Sequence, residues 1–163
     1  MSNSSNSDPK RELLRHALAT IAYRGEKAIR NTPDGFSLFQ AGHGVRPPGQ
    51  ILAHIGDLMD WGFSIAIGER AWHDSEPLPW PKEVDRFFAA LKKFDDLLAS
   101  TDPLHATPEK LLQGPIADAL THVGQIAVLR RMAEKPLMGE SCYEAEITLG
   151  RVGAAQAKPK WEF

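Results

Sequence analysis

Apolar residues recur at every third or fourth position in separate stretches of this chain, and no other feature constrains the fold as strongly. This spacing places them on one face of an α-helix, and that face must be buried against another element. The sequence therefore predicts amphipathic helices from Pro9 to just before Asn31, and over about residues 48–70, 81–100 and 115–134. The stripes of the first three comprise Leu13, Leu14, Ala17, Leu18, Ile21 and Ala28; Ile51, Ile55, Leu58, Trp61, Gly62 and Ile65; and Val84, Phe87, Phe88, Leu91, Phe94, Leu97 and Leu98.

Proline and glycine clusters separate these stretches. Residues 34–49 are rich in both and form a loop, and the alternating prolines of residues 73–81 exclude a regular helix there. Thr107-Pro108 is typical of a helix start, but Gly114-Pro115 interrupts the pattern, so a short turn should precede the last main helix.

One domain accounts for these elements. Residues 8–135 are expected to form an all-α bundle of four antiparallel helices. Residues 1–7 are small and polar and should be disordered. The irregular C-terminal tail, residues 136–163, should pack on the bundle, with residues 143–149 as a strand or an extended cover.

Composition excludes several classes of protein. The net charge of −2 and the absence of a basic stripe argue against a nucleic-acid partner. Cys142 is the single cysteine, so no intramolecular disulfide can form, which fits a reducing cytoplasm. No apolar run is long enough to span a bilayer, and residues 1–7 lack the apolar core of a signal peptide. The expected location is therefore cytoplasmic, without a membrane partner.

Two of the predicted stripes carry side chains that a hydrophobic core does not favour. His54 lies on the apolar stripe of the second helix, and Asp118, His122 and Gln125 lie on the inward stripe of the last. Residues at i and i+4 share one helix face, so Asp118 and His122 can both coordinate one ion. His54 would supply the third ligand from a facing helix, and Gln125 would orient a ligand or a bound water.

The residues alone leave a second interpretation open. Buried histidines usually find ordinary hydrogen-bond partners, and an Asp and a His at i and i+4 can form a simple ion pair. On that reading, the polar residues of the two stripes are structural and hold no metal.

Short motifs around these residues resemble the DinB/YfiT-like superfamily. Ile51-Leu52-Ala53-His54-Ile55-Gly56-Asp57-Leu58 resembles its "LxHL" helix, and Arg46-Pro47-Pro48 matches the usual lead into that helix. Thr121-His122-Val123-Gly124-Gln125-Ile126 is similar to its closing motif, a histidine shortly before Gly-Gln. The resemblance implies a four-helix bundle, often dimeric, in which three histidines bind a divalent metal, commonly zinc or nickel.

Carried over to this chain, the resemblance makes His54 the first ligand and His122 the last. The middle ligand, four residues before the last, is Asp118 instead of a histidine. Two histidines with one carboxylate suit iron or manganese as well as zinc or nickel. The carboxylate also adds negative charge, which should make the ion a weaker Lewis acid.

Two functions follow as hypotheses. The first is a metal-dependent enzyme of thiol S-transferase or hydrolase type, whose substrate is a small molecule that could include a low-molecular-weight thiol. The resemblance implies this chemistry, and no catalytic residue beside the ligands can be named. The second is a non-catalytic homodimeric bundle in which the same residues are structural or hold a structural metal.

Overall fold

The structure is a computed structural model that describes residues 8–163, and this part of the chain is helical without a strand. The long helices are α1 (Pro9–Ile29), α2 (Pro48–Ala66), α3 (Trp80–Ala99) and α5 (Ala117–Met132), and α4 is the single turn Pro108–Leu111. A 3-10 turn covers Phe36–Leu38, and a π-turn, Leu112–Ile116, joins α4 to α5. The expected disorder of residues 1–7 lies outside the described residues.

The four long helices pack around a common core. Helix α2 contacts α3 and α5, and α1 contacts the same two helices from the other side. This arrangement confirms the predicted all-α fold with four long helices. Large side chains such as Phe87 and Phe94 fill the centre, where both are fully buried. A Cβ atom at Gly62 would lie 2.7 Å from Phe94 Cε1, so this glycine allows α2 to approach α3 closely.

Helix boundaries follow the predicted start and stop residues closely, except at the end of α2. Helix α1 begins where the Asp8 side chain accepts a hydrogen bond from the Lys10 amide, as the N-cap reading requires. Helix α2 ends at Ala66, earlier than the predicted residue 70, because Gly68 has a φ of +89° and the chain turns away. Leu13, placed on the apolar stripe of α1, is 61% exposed and lies outside the core.

A buried arginine ties the end of α5 to the end of α1. Arg130 is 4% exposed, and its guanidinium donates to the carbonyls of Ala28 at 3.1 Å and Arg30 at 2.7 Å. These carbonyls lie at the C-terminus of α1, where no intrahelical amide reaches them. The positive charge of Arg130 also lies near the negative end of the α1 dipole, so it stabilises α1 although the residue belongs to α5.

The C-terminal tail runs over the bundle without forming the strand considered for residues 143–149. Val152 is buried in the core, and Tyr143 is almost fully exposed. Glu140, whose side chain is 3% exposed, accepts hydrogen bonds from the Tyr23 hydroxyl and, at 2.6 Å, from Lys27 Nζ. A salt bridge and a hydrogen bond to α1 therefore hold the tail on the bundle, although the sequence of the tail has little periodicity.

Among residues 8–163, no helix combines the length and the apolar character needed to cross a membrane.

Candidate metal site

The three predicted ligands meet where α2 packs against α5. His54 lies near the middle of α2, while Asp118 and His122 lie one turn apart at the start of α5. His122 Nε2 is 3.4 Å from Asp118 Oδ1, and His54 Nε2 is 4.0 Å from Asp118 Oδ2. One donor atom from each residue lies within 4.8 Å of the other two. The helix phases inferred from the apolar stripes thus bring these side chains to one point.

The ring of His122 is oriented by a hydrogen bond within α5. His122 is 8% exposed, and its Nδ1 lies 3.0 Å from the amide oxygen of Gln125. With the amide oxygen as acceptor, Nδ1 donates its proton to Gln125, which leaves Nε2 as the ligand atom that faces Asp118. Gln125 is therefore in the position expected of a residue that orients a ligand.

His54 lies in a surrounding that disfavours its charged form. Burial lowers the pKa of His54 from its ordinary value of 6.5, and the nearby His122 and Arg46 lower it further. The rings of His54 and His122 meet edge to face, with centroids 4.7 Å apart. A neutral imidazole can donate its lone pair to a metal, so the surroundings favour the form that binds.

Asp118 lies at the rim of the site. Its side chain is 49% exposed, and Gln125 is exposed as well, although both were placed on the inward stripe. Helix α5 is covered by α1 and α2 on two sides only, so the edge of its stripe opens to solvent. Asp118 also lines an open cavity of about 390 Å³, and His54 lines a second one of about 270 Å³.

The donor set fits a divalent cation. Three ligands on one tetrahedral ion, each at ~2.1 Å, lie about 3.4 Å from one another. The His122 Nε2–Asp118 Oδ1 distance of 3.4 Å already has this value, whereas His54 contacts the other carboxylate oxygen at 4.0 Å. Because the three ligand atoms lie within 4.8 Å of one another, closing them on one ion would require a movement of up to about 1.4 Å. Two neutral imidazoles and one carboxylate also supply one negative charge, and water can reach the ion through the open rim.

A second polar cluster beside the site was not predicted. Asp57, one turn after His54 on α2, is 2% exposed. It accepts hydrogen bonds from the Ser75 amide at 2.8 Å and from the Arg86 guanidinium, and His73 Nε2 lies 3.0 Å away. Glu83, fully buried on α3, accepts from the Leu78 amide at 2.8 Å.

This cluster fixes the loop between α2 and α3, and the loop carries Trp72. The Trp72 ring meets His54 edge to face with a centroid distance of 5.7 Å, and it meets Trp61 in the same way at 5.8 Å. His73, expected in solvent, is half exposed and reaches Asp57 through one ring nitrogen. The proline-rich loop gave no periodic signal, so only the fold could reveal that it packs beside the candidate ligands.

Searches of protein-family models, curated proteins and solved structures found no match to this chain.

Proposed function

We propose that this chain is a DinB/YfiT-like, metal-dependent enzyme of thiol S-transferase or hydrolase type. His54, Asp118 and His122 would bind a divalent ion, with zinc or nickel favoured over iron or manganese. The observation that carries the proposal is the convergence of two imidazoles and a carboxylate at an open rim. Structural sites are usually closed by four protein ligands, whereas catalytic sites keep a position free.

A divalent ion held by three protein ligands supplies Lewis acidity to a water or thiol that takes the remaining position. The protein's own residues would prepare that position. Gln125 keeps the proton on His122 Nδ1, and burial keeps His54 neutral. Trp72 packs edge to face against His54 and restricts the orientation of that ring. The proposal assigns no residue as general acid or base.

The second candidate is a non-catalytic bundle whose inward polar residues are structural. Within residues 8–163, every buried side-chain nitrogen or oxygen atom has a hydrogen-bond partner, so the core needs no ion to satisfy it. A structural role predicts that removing the histidines changes stability and leaves metal content at background.

Metal content separates the two candidates. The protein should be purified without a histidine tag, analysed for bound metal and titrated with zinc. We expect one equivalent of divalent metal, a sharp loss of affinity in His122→Ala and Asp118→Ala, and retained or tighter binding in Asp118→His. His16→Ala, which removes an exposed imidazole on α1, is the matched control. Unchanged metal content in both alanine variants would refute the metal site.

The resemblance also supports a homodimer and a small-molecule substrate such as a low-molecular-weight thiol, and the single cysteine favours a cytoplasmic location. Sedimentation velocity tests the first of these directly. A monomer at micromolar concentration would contradict the proposed dimer and would leave the metal site unaffected.

A further inference from the structure

An open groove leads away from the candidate metal site along α2 and the α4–α5 segment. The cavity lined by Asp118 also touches Trp61 and Gly114. A larger cavity, of about 600 Å³, begins at the same two residues and continues past Ile65 and Pro115. These two cavities, which share the walls formed by Trp61 and Gly114, are together called the groove, and the smaller one reaches the rim of the metal site at Asp118.

The first part of the groove has mainly apolar walls. The Trp61 ring, half-buried, forms one side, and Ile65, one turn further along α2, extends it. Opposite them the π-turn and Pro115 leave a gap, because Gly114 has no side chain. A Cβ atom at Gly114 would lie 4.0 Å from the Trp61 ring and meet nothing closer. The space between the two cavities is thus open because residue 114 is a glycine.

The far end of the groove is cationic. Arg70 and Lys110 both line the larger cavity, with the imidazole of His105 beside them, and no aspartate or glutamate lines it. Glu109, next to Lys110 in the sequence, is paired with Lys10 at 2.5 Å. Neither Arg70 nor Lys110 forms an ion pair with another residue of the described range 8–163.

The dimensions suit a small elongated molecule. Lys110 on α4 and Asp118 at the start of α5 lie on either side of the π-turn, at opposite ends of the two cavities. Pockets of roughly 300–1,000 Å³ with apolar walls and a few polar groups are typical of small-molecule sites. The larger cavity has a volume within this range.

We propose that this groove binds a small elongated acid with its anionic end at Arg70 and Lys110, its apolar body against Trp61 and its other end at the metal ligands. The inference deepens the proposed function, because it takes the ion held by His54, Asp118 and His122 as given. It defines the substrate class as an amphipathic carboxylate, or another anion of that shape, with a metal-binding group opposite the charge. A guanidinium and an ammonium at one end discriminate an anion from a neutral molecule of equal length.

Three probes test the two ends of the groove separately. Octanoate has the charge and the apolar body, octanol has the body alone, and mercapto-octanoate adds a thiol at the opposite end. Calorimetric titration of metal-free and zinc-loaded protein should show octanoate binding to both forms equally. Octanol should bind about tenfold more weakly, as expected for the loss of one charge-assisted contact. Mercapto-octanoate should bind the zinc-loaded form at least about tenfold more tightly than the metal-free form.

Two sets of variants locate the binding. Arg70→Gln with Lys110→Gln should weaken octanoate about tenfold and leave octanol and zinc affinity unchanged. Gly114→Leu should block the middle of the groove and weaken both probes, while helix content and zinc affinity stay as in the wild type. Arg131→Gln, an exposed arginine on α5, is the matched control and should change nothing.

The outcomes separate the groove from the metal site. If the double substitution leaves the affinity for octanoate unchanged while zinc binds normally, the groove proposal is overturned and the proposed function stands. If octanoate behaves as expected but zinc does not bind, the proposed function fails and the anionic end of the groove is supported. Equal affinity of mercapto-octanoate for the two forms of the protein would overturn the link between the groove and the ion.

Discussion

Replacing Gln125 with leucine tests how the site prepares His122 for a metal. The Gln125 oxygen lies 3.0 Å from His122 Nδ1, and this contact decides which ring nitrogen carries the proton. Leucine has a similar size and no acceptor, so the proton can move to Nε2, and the ring can rotate. We expect weaker zinc binding, with the fold unchanged because Gln125 is exposed.

The size of the effect follows from two independent estimates. Partners that orient a metal ligand typically contribute about 10–100-fold in affinity. A neutral hydrogen bond contributes about 0.5–1.5 kcal/mol net, and about 1.4 kcal/mol corresponds to a tenfold change. Water can partly replace Gln125 because the residue is exposed, so the effect should lie at the lower end. We therefore expect a loss of about tenfold.

Competition with a chromogenic chelator at fixed pH gives the zinc affinity, and two further variants sharpen the reading. Gln125→Glu should bind zinc at least as tightly as the wild type, because a carboxylate accepts from Nδ1 more strongly and raises the basicity of the ligand. Gln40→Leu, which removes an exposed glutamine from the loop before α2, should have no effect.

Two results would refute this reasoning. If Gln125→Leu keeps the wild-type zinc affinity, the hydrogen bond does not control the tautomer of His122. If Gln125→Glu loses as much as Gln125→Leu, the acceptor role is wrong, and Gln125 contributes only through its shape.

Three more changes test the structure around the site. Arg130→Met should lower the free energy of unfolding, measured by urea denaturation, by about 3 kcal/mol, because the carbonyls at the end of α1 lose their donor. The matched control is Arg131→Met at the exposed neighbouring residue, which should change this free energy by less than about 0.5 kcal/mol. Lys27→Met should lower the free energy of unfolding by about 3 kcal/mol in the same assay, because Glu140 is left buried without its cation. The double variant with Glu140→Gln should recover part of that stability, because the buried charge is removed. In metal-free protein, the unfolded state binds a proton at His54 more readily than the folded state, whose pKa lies below 6.5. The free energy of unfolding should therefore fall as the pH is lowered through this window, and His54→Gln should reduce that slope; an equal slope in both proteins would contradict it.

Much of the fold could be predicted from local chemistry. Apolar spacing marks the long helices, and Asp8-Pro9 and Pro48 mark two of their starts. The proximity of His54, Asp118 and His122 also follows from the sequence, because helix periodicity fixes which side chains share a face. In a bundle the apolar faces must meet, so polar residues on two such stripes point to the interior. The packing of α2 against α5 then places these three at the same height.

The tertiary structure decided what the periodicity could not. Helix periodicity predicts the side of α5 on which Asp118 and Gln125 lie. It does not predict how far other elements cover them, and in the structure this edge of α5 is exposed to solvent. Asp57 looks like a surface residue on its own helix, and the Arg86 guanidinium from α3 together with the Ser75 amide makes its burial favourable.

The groove is also a product of tertiary packing. Lys110 is far from Trp61 and Arg70 in the chain, and no local pattern links them, because their proximity depends on how α4 and the π-turn pack beside α2. The sequence by itself determined the helices and the residues that converge between them. Contacts between segments distant in the chain determined which of those residues meet solvent, which are buried with partners, and where a ligand could reach them.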